Sequence, residues 1–149
     1  MEAIIFVGIQ AAGKSTFYSE RFFNTHIRIN LDMLKTRHRE QIFLQACLEA
    51  KQPFVVDNTN PTVEERSRYI APAKEKGFRV VGYYFQVKLE DCKLRNRMRE
   101  PKQIVPLVGL LATYKKLVLP SWQEGFDALY IVKNDLNSSF IIKEQSHEI

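Results

Sequence analysis

The sequence predicts an α/β fold, a three-layer sandwich in which a five-stranded parallel sheet carries helices on both faces and a small lid. Three observations lead there. Strand-like and helix-like stretches alternate along all 149 residues, with no repeat, low-complexity run or linker between them. The first apolar run, Ala3 to Val7, reads as a buried strand. It passes directly into Gly8-Ile9-Gln10-Ala11-Ala12-Gly13-Lys14-Ser15, the G-x-x-x-x-G-K-[ST] spacing of a phosphate-binding loop, and a helical pattern follows as that motif requires.

The elements follow in order. After the strand at Ala3–Val7, a helix is predicted from Lys14 to about Phe23, with Phe17, Phe22 and Phe23 as its apolar positions. A second strand covers Ile27–Asn30. The next helical stretch shows an apolar stripe of Ile42, Phe43, Ala46 and Leu48 and ends before Gln52-Pro53. The third strand is Phe54–Asp57, followed by the turn Asn58-Thr59-Asn60-Pro61. Thr62 with Glu65 three residues on has the form of a capping box, and Gly77 closes the helix it opens. A fourth strand at Arg79–Phe85 precedes a helix from about Leu89 to Arg99. Pro101 and Pro106 make Glu100–Pro106 a loop. A helix near Leu107–Lys116 and a fifth strand at Ala128–Val132 complete the pattern. Residues 1–133 are expected to form one domain. Residues 134–149, polar around Phe140, Ile141 and Ile142, are expected to be a tail or an extra edge strand.

A chain of this size suits one core, so donor and acceptor sites must share one scaffold. No run approaches the roughly 18 apolar residues of a membrane span, and no leader-like segment is present, so a cytoplasmic enzyme without membrane contact is expected. Cys47 and Cys92 lack metal-ligand spacing and read as free thiols. The net charge of +5 is unevenly placed: Lys35, Arg37, His38 and Arg39 form one basic group, and Lys93, Arg95, Arg97, Arg99 and Lys102 another. Such groups suit a polyanionic partner, or are solvated helix faces.

In open sheets of this kind ligands collect beyond the carboxyl ends of strands. Three strand ends carry polar chemistry here: Gly8–Ser15, Asn30-Leu31-Asp32 and Asp57-Asn58-Thr59-Asn60. In the first, amides of Gly8, Ala11, Ala12, Gly13, Lys14, Ser15 and Thr16 would cradle phosphates, Lys14 would add a cation and the Ser15 hydroxyl would ligate Mg²⁺. Asp32 would accept a proton from a substrate hydroxyl or cap the helix behind it. Asp57 would stand near Mg²⁺ or tie down its own turn. Arg95 and Arg99, four apart on one helical face before the proline-interrupted loop, have the placement of a lid over phosphates or of surface arginines.

Taken together these segments resemble the kinase domain of the polynucleotide 5′-hydroxyl kinase family, from Met1 to about Val132. The resemblance rests on Gly8–Thr16, Ile29-Asn30-Leu31-Asp32, Val56-Asp57-Asn58-Thr59-Asn60-Pro61, Glu64-Glu65-Arg66-Ser67-Arg68-Tyr69, Asn96-Arg97-Met98-Arg99-Glu100 and Glu124-Gly125-Phe126-Asp127. It implies the P-loop NTPase sandwich, ATP and Mg²⁺ as cofactors, and a DNA or RNA 5′ end as partner and acceptor. Lys14, Asp32 and Arg99 are then catalytic, Asp32 as general base and Arg99 as the lid arginine, with Arg97 or Arg95 in that role if the register slips. Ser15 and Asp57 serve the metal, Arg95 and Arg99 the nucleotide. Asp32, Lys35, Arg37, Asn58, Thr59 and Asn60 meet the acceptor, with Arg39 and Lys102 on a basic rim. The chain departs from the family in two places: Leu31 stands where Asn-Arg-Asp is frequent, and Lys35 where phage members carry arginine. Without the fused phosphatase or ligase of many relatives it would be a stand-alone kinase, similar to short bacterial ATP-binding proteins. A kinase for a sugar, nucleoside or nucleotide sugar is the alternative, and a nucleotide-dependent binding protein without acceptor another.

Overall fold

Residues 1–134 and 139–146 are described by the computed structural model. Its strands are β1 (Glu2–Val7), β2 (Ile27–Ile29), β3 (Phe54–Val56), β4 (Arg79–Phe85), β5 (Ala128–Asn134) and β6 (Phe140–Glu144). Its helices are α1 (Lys14–Arg21), α2 (Leu31–Leu34), α3 (Arg37–Ala50), α4 (Val63–Glu75), α5 (Leu89–Arg97) and α6 (Leu107–Lys116), with 3₁₀ turns at Pro101–Gln103 and Trp122–Glu124. The sheet runs β2-β3-β1-β4-β5-β6, its first five strands parallel and β6 antiparallel on β5.

The sixth strand is the edge element that the sequence left open beside a tail; residues 135–138 and 147–149 of that expected segment lie outside the described residues. Its alternation explains its place. Phe140 and Ile142 pack on the α1 face of the sheet while Ile141 and Lys143 face out, the period-2 pattern of a half-covered strand. A Phe140–Phe17 edge contact, 5.1 Å between ring centroids, anchors it.

Because β1 is buried on both faces, its residues split between two cores. Ala3, Ile5 and Val7 pack against α3 and α4 through Leu44, Leu48, Tyr69 and Ile70. Ile4 and Phe6 face Phe17, Phe22 and Phe85, where Phe6 and Phe85 meet edge-on at 5.0 Å. Each such aromatic pair adds about 0.5–1.5 kcal/mol beyond the area it buries. Cys47 and Cys92 are buried free thiols in these cores.

Two helix ends and one helix face differ from the sequence reading for packing reasons. The first helix stops at Arg21; Phe22 turns into the core as its C-cap and Phe23 is left exposed. In α3, Ile42, Phe43 and Ala46 face solvent, and the buried face is Glu40, Leu44, Cys47 and Leu48. A buried glutamate sets that rotation, since Glu40 accepts the Tyr69 hydroxyl proton at 3.0 Å. Helix α5 ends at Arg97, because Asn96 exchanges two hydrogen bonds with the backbone of Val105 and folds the following loop back on itself. Thr62 does cap α4, receiving the Glu65 amide at 3.2 Å, but the Glu65 carboxylate meets the Thr62 hydroxyl rather than completing a backbone box.

One buried ion pair fastens the sheet's two halves. Arg66, fully buried on α4, donates to both carboxylate oxygens of Glu124 at 2.7 and 3.0 Å and to the carbonyls of Asn60 and Val118. Removing one partner of such a pair strands the other charge away from water. Arg66→Ala should therefore lower the unfolding free energy by about 3–5 kcal/mol in urea titrations, and Glu124→Gln, which keeps an acceptor, by less. A loss below about 1 kcal/mol for Arg66→Ala would contradict the clamp's role.

Candidate active site

The strand order places a switch point at β1 and β3, and the crevice beyond their carboxyl ends is where the chemistry collects. The cleft there encloses about 1110 Å³. That exceeds the roughly 300–1,000 Å³ of a site built for one small ligand.

The phosphate loop forms one wall. Ala11 and Gly13 have φ of 63° and 99°, so successive amides turn inward instead of alternating outward. Gly13 is the N-cap of α1 and has no side chain to occupy the first amides, which stay free for an anion. Only glycine fits, for a Cβ there would stand 3.2 Å from the Phe140 ring in the left-handed region. Gly8 lies deeper: its N–H donates to Thr59 O and its carbonyl accepts Lys14 Nζ at 3.0 Å.

Lys14 is buried, with Nζ also donating to Ile9 O at 2.8 Å. Burial lowers its pKa to about 8, with Asp57 pulling the other way. Ser15 Oγ donates to Asp57 Oδ2 at 3.1 Å. Asp57, at the end of β3, is 1 % exposed. A hydroxyl and a buried carboxylate this close are hard oxygen donors of the type Mg²⁺ takes when phosphates supply its other ligands. Among the described residues no cluster of three or more His, Cys, Asp or Glu could hold a metal without such help. The residues present therefore fit a cation that arrives with a triphosphate.

Opposite the loop, α2 carries Asp32. The N-cap of that helix is Asn30, whose Oδ1 accepts Met33 N at 3.0 Å, so Asp32 is not used as a cap. Its carboxylate is exposed on the same cleft as Lys14 and Ser15 and makes no hydrogen bond among the described residues. A polar network behind it fixes the helix. Asn58 Oδ1 receives the Leu31 amide at 2.9 Å, while Asn58 Nδ2 donates to Glu40 and to the Tyr69 hydroxyl. Arg37 donates to both Glu40 and Tyr69 at 2.9 Å. Burial and the Glu40 charge push the Tyr69 hydroxyl up to about 12.

The predicted residues thus divide. Ala11, Ala12, Gly13, Lys14, Ser15, Thr16, Asp32, Lys35, Asp57, Asn58, Thr59, Arg95, Arg99 and Lys102 line the cleft. Gly8, Arg97, Arg37, Arg39 and Asn60 do not, the Gly8 amide being taken by Thr59 O. Arg39 donates instead to Leu34 O, and Arg37 is held by Glu40. Asn60 is buried, its Nδ2 donating to Phe6 O at 2.8 Å, so it joins β1 to the turn instead of facing a ligand. Arg95 and Arg99 share the cleft although Arg99 lies past the end of α5.

Two cleft residues escaped the sequence reading. Arg28 donates from Nε to Asp57 Oδ2 at 2.8 Å and from Nη2 to Ser15 Oγ at 3.0 Å. The signal was available: flanked by Ile27 and Ile29 on a strand, Arg28 must face the side opposite to both. Gln10 in the phosphate loop donates to Thr113 Oγ1 at 3.0 Å, joining the loop to α6.

Comparisons with known proteins agree with this geometry. The family model described as AAA domain matches residues 4–110. The bifunctional polynucleotide phosphatase/kinase of Schizosaccharomyces pombe is 29% identical over 133 residues, covering 84% of this chain and 32% of that protein. A protein of Acanthamoeba polyphaga mimivirus, provisionally named for the same pair of activities, is 32% identical over 138 residues, 88% of this chain and 33% of its own. The chain spans about a third of the length of these curated relatives. A gluconokinase from Sinorhizobium meliloti 1021 superposes with a TM-score of 0.61 at 18% identity, covering 89% of this chain and 82% of that one, a likeness of fold. The chain belongs to the AAA domain family and has the α/β P-loop kinase fold with a mixed sheet. Among the described residues no helix is long and apolar enough to cross a membrane.

The lysine has a consequence in solution. Phosphate oxygens bind its protonated form, which empties as pH rises through about 8. ADP affinity should fall about tenfold between pH 7 and 9, a one-proton linkage, and Lys14→Met should bind weakly with no such slope. Isothermal titration across that range checks it; a flat wild-type profile would contradict the depressed lysine.

Proposed function

We propose that this chain is an ATP- and Mg²⁺-dependent kinase that moves the γ-phosphate to the 5′-hydroxyl of a DNA or RNA end. The observation that carries the reading is the unengaged carboxylate of Asp32 on the cleft that Lys14 and Ser15 also line. Its support network of Asn58, Glu40 and Tyr69 holds α2 without using the carboxylate itself.

In the proposed reaction, loop amides from Ala11 to Thr16 and the Lys14 ammonium hold the donor phosphates. Ser15 and Asp57, together with phosphate oxygens, would hold magnesium, which would neutralise charge on the transferred group. Asp32 orients an acceptor hydroxyl in line with the γ-phosphorus and takes its proton as the new P–O bond forms and the bond from the γ-phosphorus to the β–γ bridging oxygen breaks, releasing ADP. Arg99, with Arg95, offsets the charge on the equatorial oxygens from the lid side. Positioning and electrostatics provide the rate, since phosphoryl transfer leaves little covalent work to side chains.

Lys35, Lys102, Arg95 and Arg99 give the cleft mouth a positive edge. A strand's phosphates fit that edge, and the curated relatives are named for polynucleotide substrates. Neutral sugars draw little from it. Binding of a polynucleotide acceptor should then weaken steeply with salt through counterion release.

The experiment uses γ-labelled ATP with a panel of 5′-OH DNA and RNA oligonucleotides, sugars and nucleosides. Label should enter oligonucleotides, with a Michaelis constant for the acceptor that rises with salt. Asp32→Asn should lower kcat by about 10²–10⁴-fold while ADP affinity stays unchanged. Label entering only a small acceptor would replace the polynucleotide reading with that of a small-molecule kinase. Unchanged ATP turnover in Asp32→Asn would favour a nucleotide-dependent binding protein.

A further inference from the structure

Arg28 sits where the metal belongs. Its guanidinium donates to the two oxygens assigned above to magnesium, Asp57 Oδ2 at 2.8 Å and Ser15 Oγ at 3.0 Å, and those oxygens are themselves 3.1 Å apart. Asp57 is 1 % exposed, and a carboxylate so deep requires a cation beside it. Lys14 feels the Asp57 charge but makes no hydrogen bond to it, two of its ammonium hydrogens being turned to the carbonyls of Gly8 and Ile9. Arg28 is the ion partner of Asp57 among the described residues.

A dication and a guanidinium compete for the same carboxylate oxygen and the same hydroxyl. Their charges repel, and the ligand positions that the metal needs are those the N–H groups cover. Arg28 also has a way out. Its side chain is 26 % exposed, it lines the open cleft, and its guanidinium already lies 5.9 Å from the Tyr18 ring while it is bonded to the carboxylate.

We propose that Arg28 occupies the cation position in the nucleotide-free protein and is displaced when metal and nucleotide bind together, so that it prevents the bare divalent ion from binding first. The proposal rests on the assignment of Ser15 and Asp57 to the metal and is independent of the acceptor's identity. A lone aqueous cation gains only two protein oxygens by evicting Arg28, whereas a metal already on phosphate oxygens brings the loop amides and Lys14 into the exchange. Arg28 is thus a positioning residue that sets binding order.

The test measures Mn²⁺ binding by the electron paramagnetic resonance of the free ion, without nucleotide and with ADP, in the intact chain. Without nucleotide, Arg28→Met should bind Mn²⁺ at least tenfold more tightly than wild type, and Arg28→Lys, which keeps a cation, should stay within about threefold of it. With ADP the wild type should gain far more affinity than Arg28→Met does. In the wild type itself, the Arg28 Nε–H resonance should lose its carboxylate-bonded shift on adding Mg²⁺ with ADP and keep it with ADP alone; this reading does not depend on any variant folding. Equal or weaker Mn²⁺ affinity in a folded Arg28→Met, or an Nε–H resonance unmoved by Mg²⁺ with ADP, overturns the proposal. Asp57→Asn separates the two levels. If it binds Mn²⁺ with ADP as tightly as wild type, the metal assignment fails and Arg28 with it; if it loses binding while Arg28→Met matches wild type, only the Arg28 proposal fails.

Discussion

A carboxylate buried at the carboxyl end of β3 is the charge around which this cleft is organised. Asp57 stands between β2 and β1 in the sheet, and leaving its charge unpaired there would cost several kcal/mol. Donors must therefore converge on it from every neighbouring element. Ser15 reaches it from the first turn of α1 and Arg28 from β2, while its own amide donates to Ile29 O and its carbonyl accepts Asn30 Nδ2. Three strand ends are drawn together by one side chain, and the phosphate loop is held against β2 as a result.

The residues after Asp57 extend the same constraint. Thr59 O accepts the Gly8 amide and Asn60 Nδ2 donates to Phe6 O, so the turn is zipped to β1 and to the start of the phosphate loop. Asn58 does the corresponding work toward α2. The Asp-Asn-Thr-Asn run is thus largely architecture: one residue carries charge into the cleft and three hold the surrounding backbone in place. Behind them, Arg66 grips Asn60 O and Glu124 together, which ties the turn to the segment leading into β5.

Much of this was legible from local spacing and the rest was not. The phosphate loop, the strand positions and the Thr62 cap are written in residues close in sequence, where steric and hydrogen-bonding rules act directly. The end of α1 at Phe22 and the uncompleted Thr62 box are local misreadings, and the others involve partners outside the local pattern. The buried face of α3 is set by Glu40 meeting Tyr69, 29 residues away, which no apolar pattern reveals. The end of α5 is set by Asn96 closing on Val105. The alternation with Ile27 and Ile29 gives the side that Arg28 faces, but not its partner at the end of the neighbouring strand, Asp57. The last strand is recognisable only beside β5, because it is short and one face alone is covered, with Ile141 left among its outward residues.

Two aspartates frame the cleft, and their surroundings give them different capacities. Asp57 is enclosed and hydrogen-bonded by Ser15 and Arg28, so its charge is already engaged and any exchange there is one cation for another. Asp32 is exposed, with its helix capped by Asn30 and braced by Asn58, so its lone pairs remain available to a group arriving from solvent. Exchanging the two would fail on both counts: an exposed residue would hold a metal loosely, and a buried, paired one could not reach an incoming alcohol. In the proposed reaction the division of labour between the carboxylates follows from burial alone, and the fold creates it by ending β3 inside the sheet and lifting α2 to its rim.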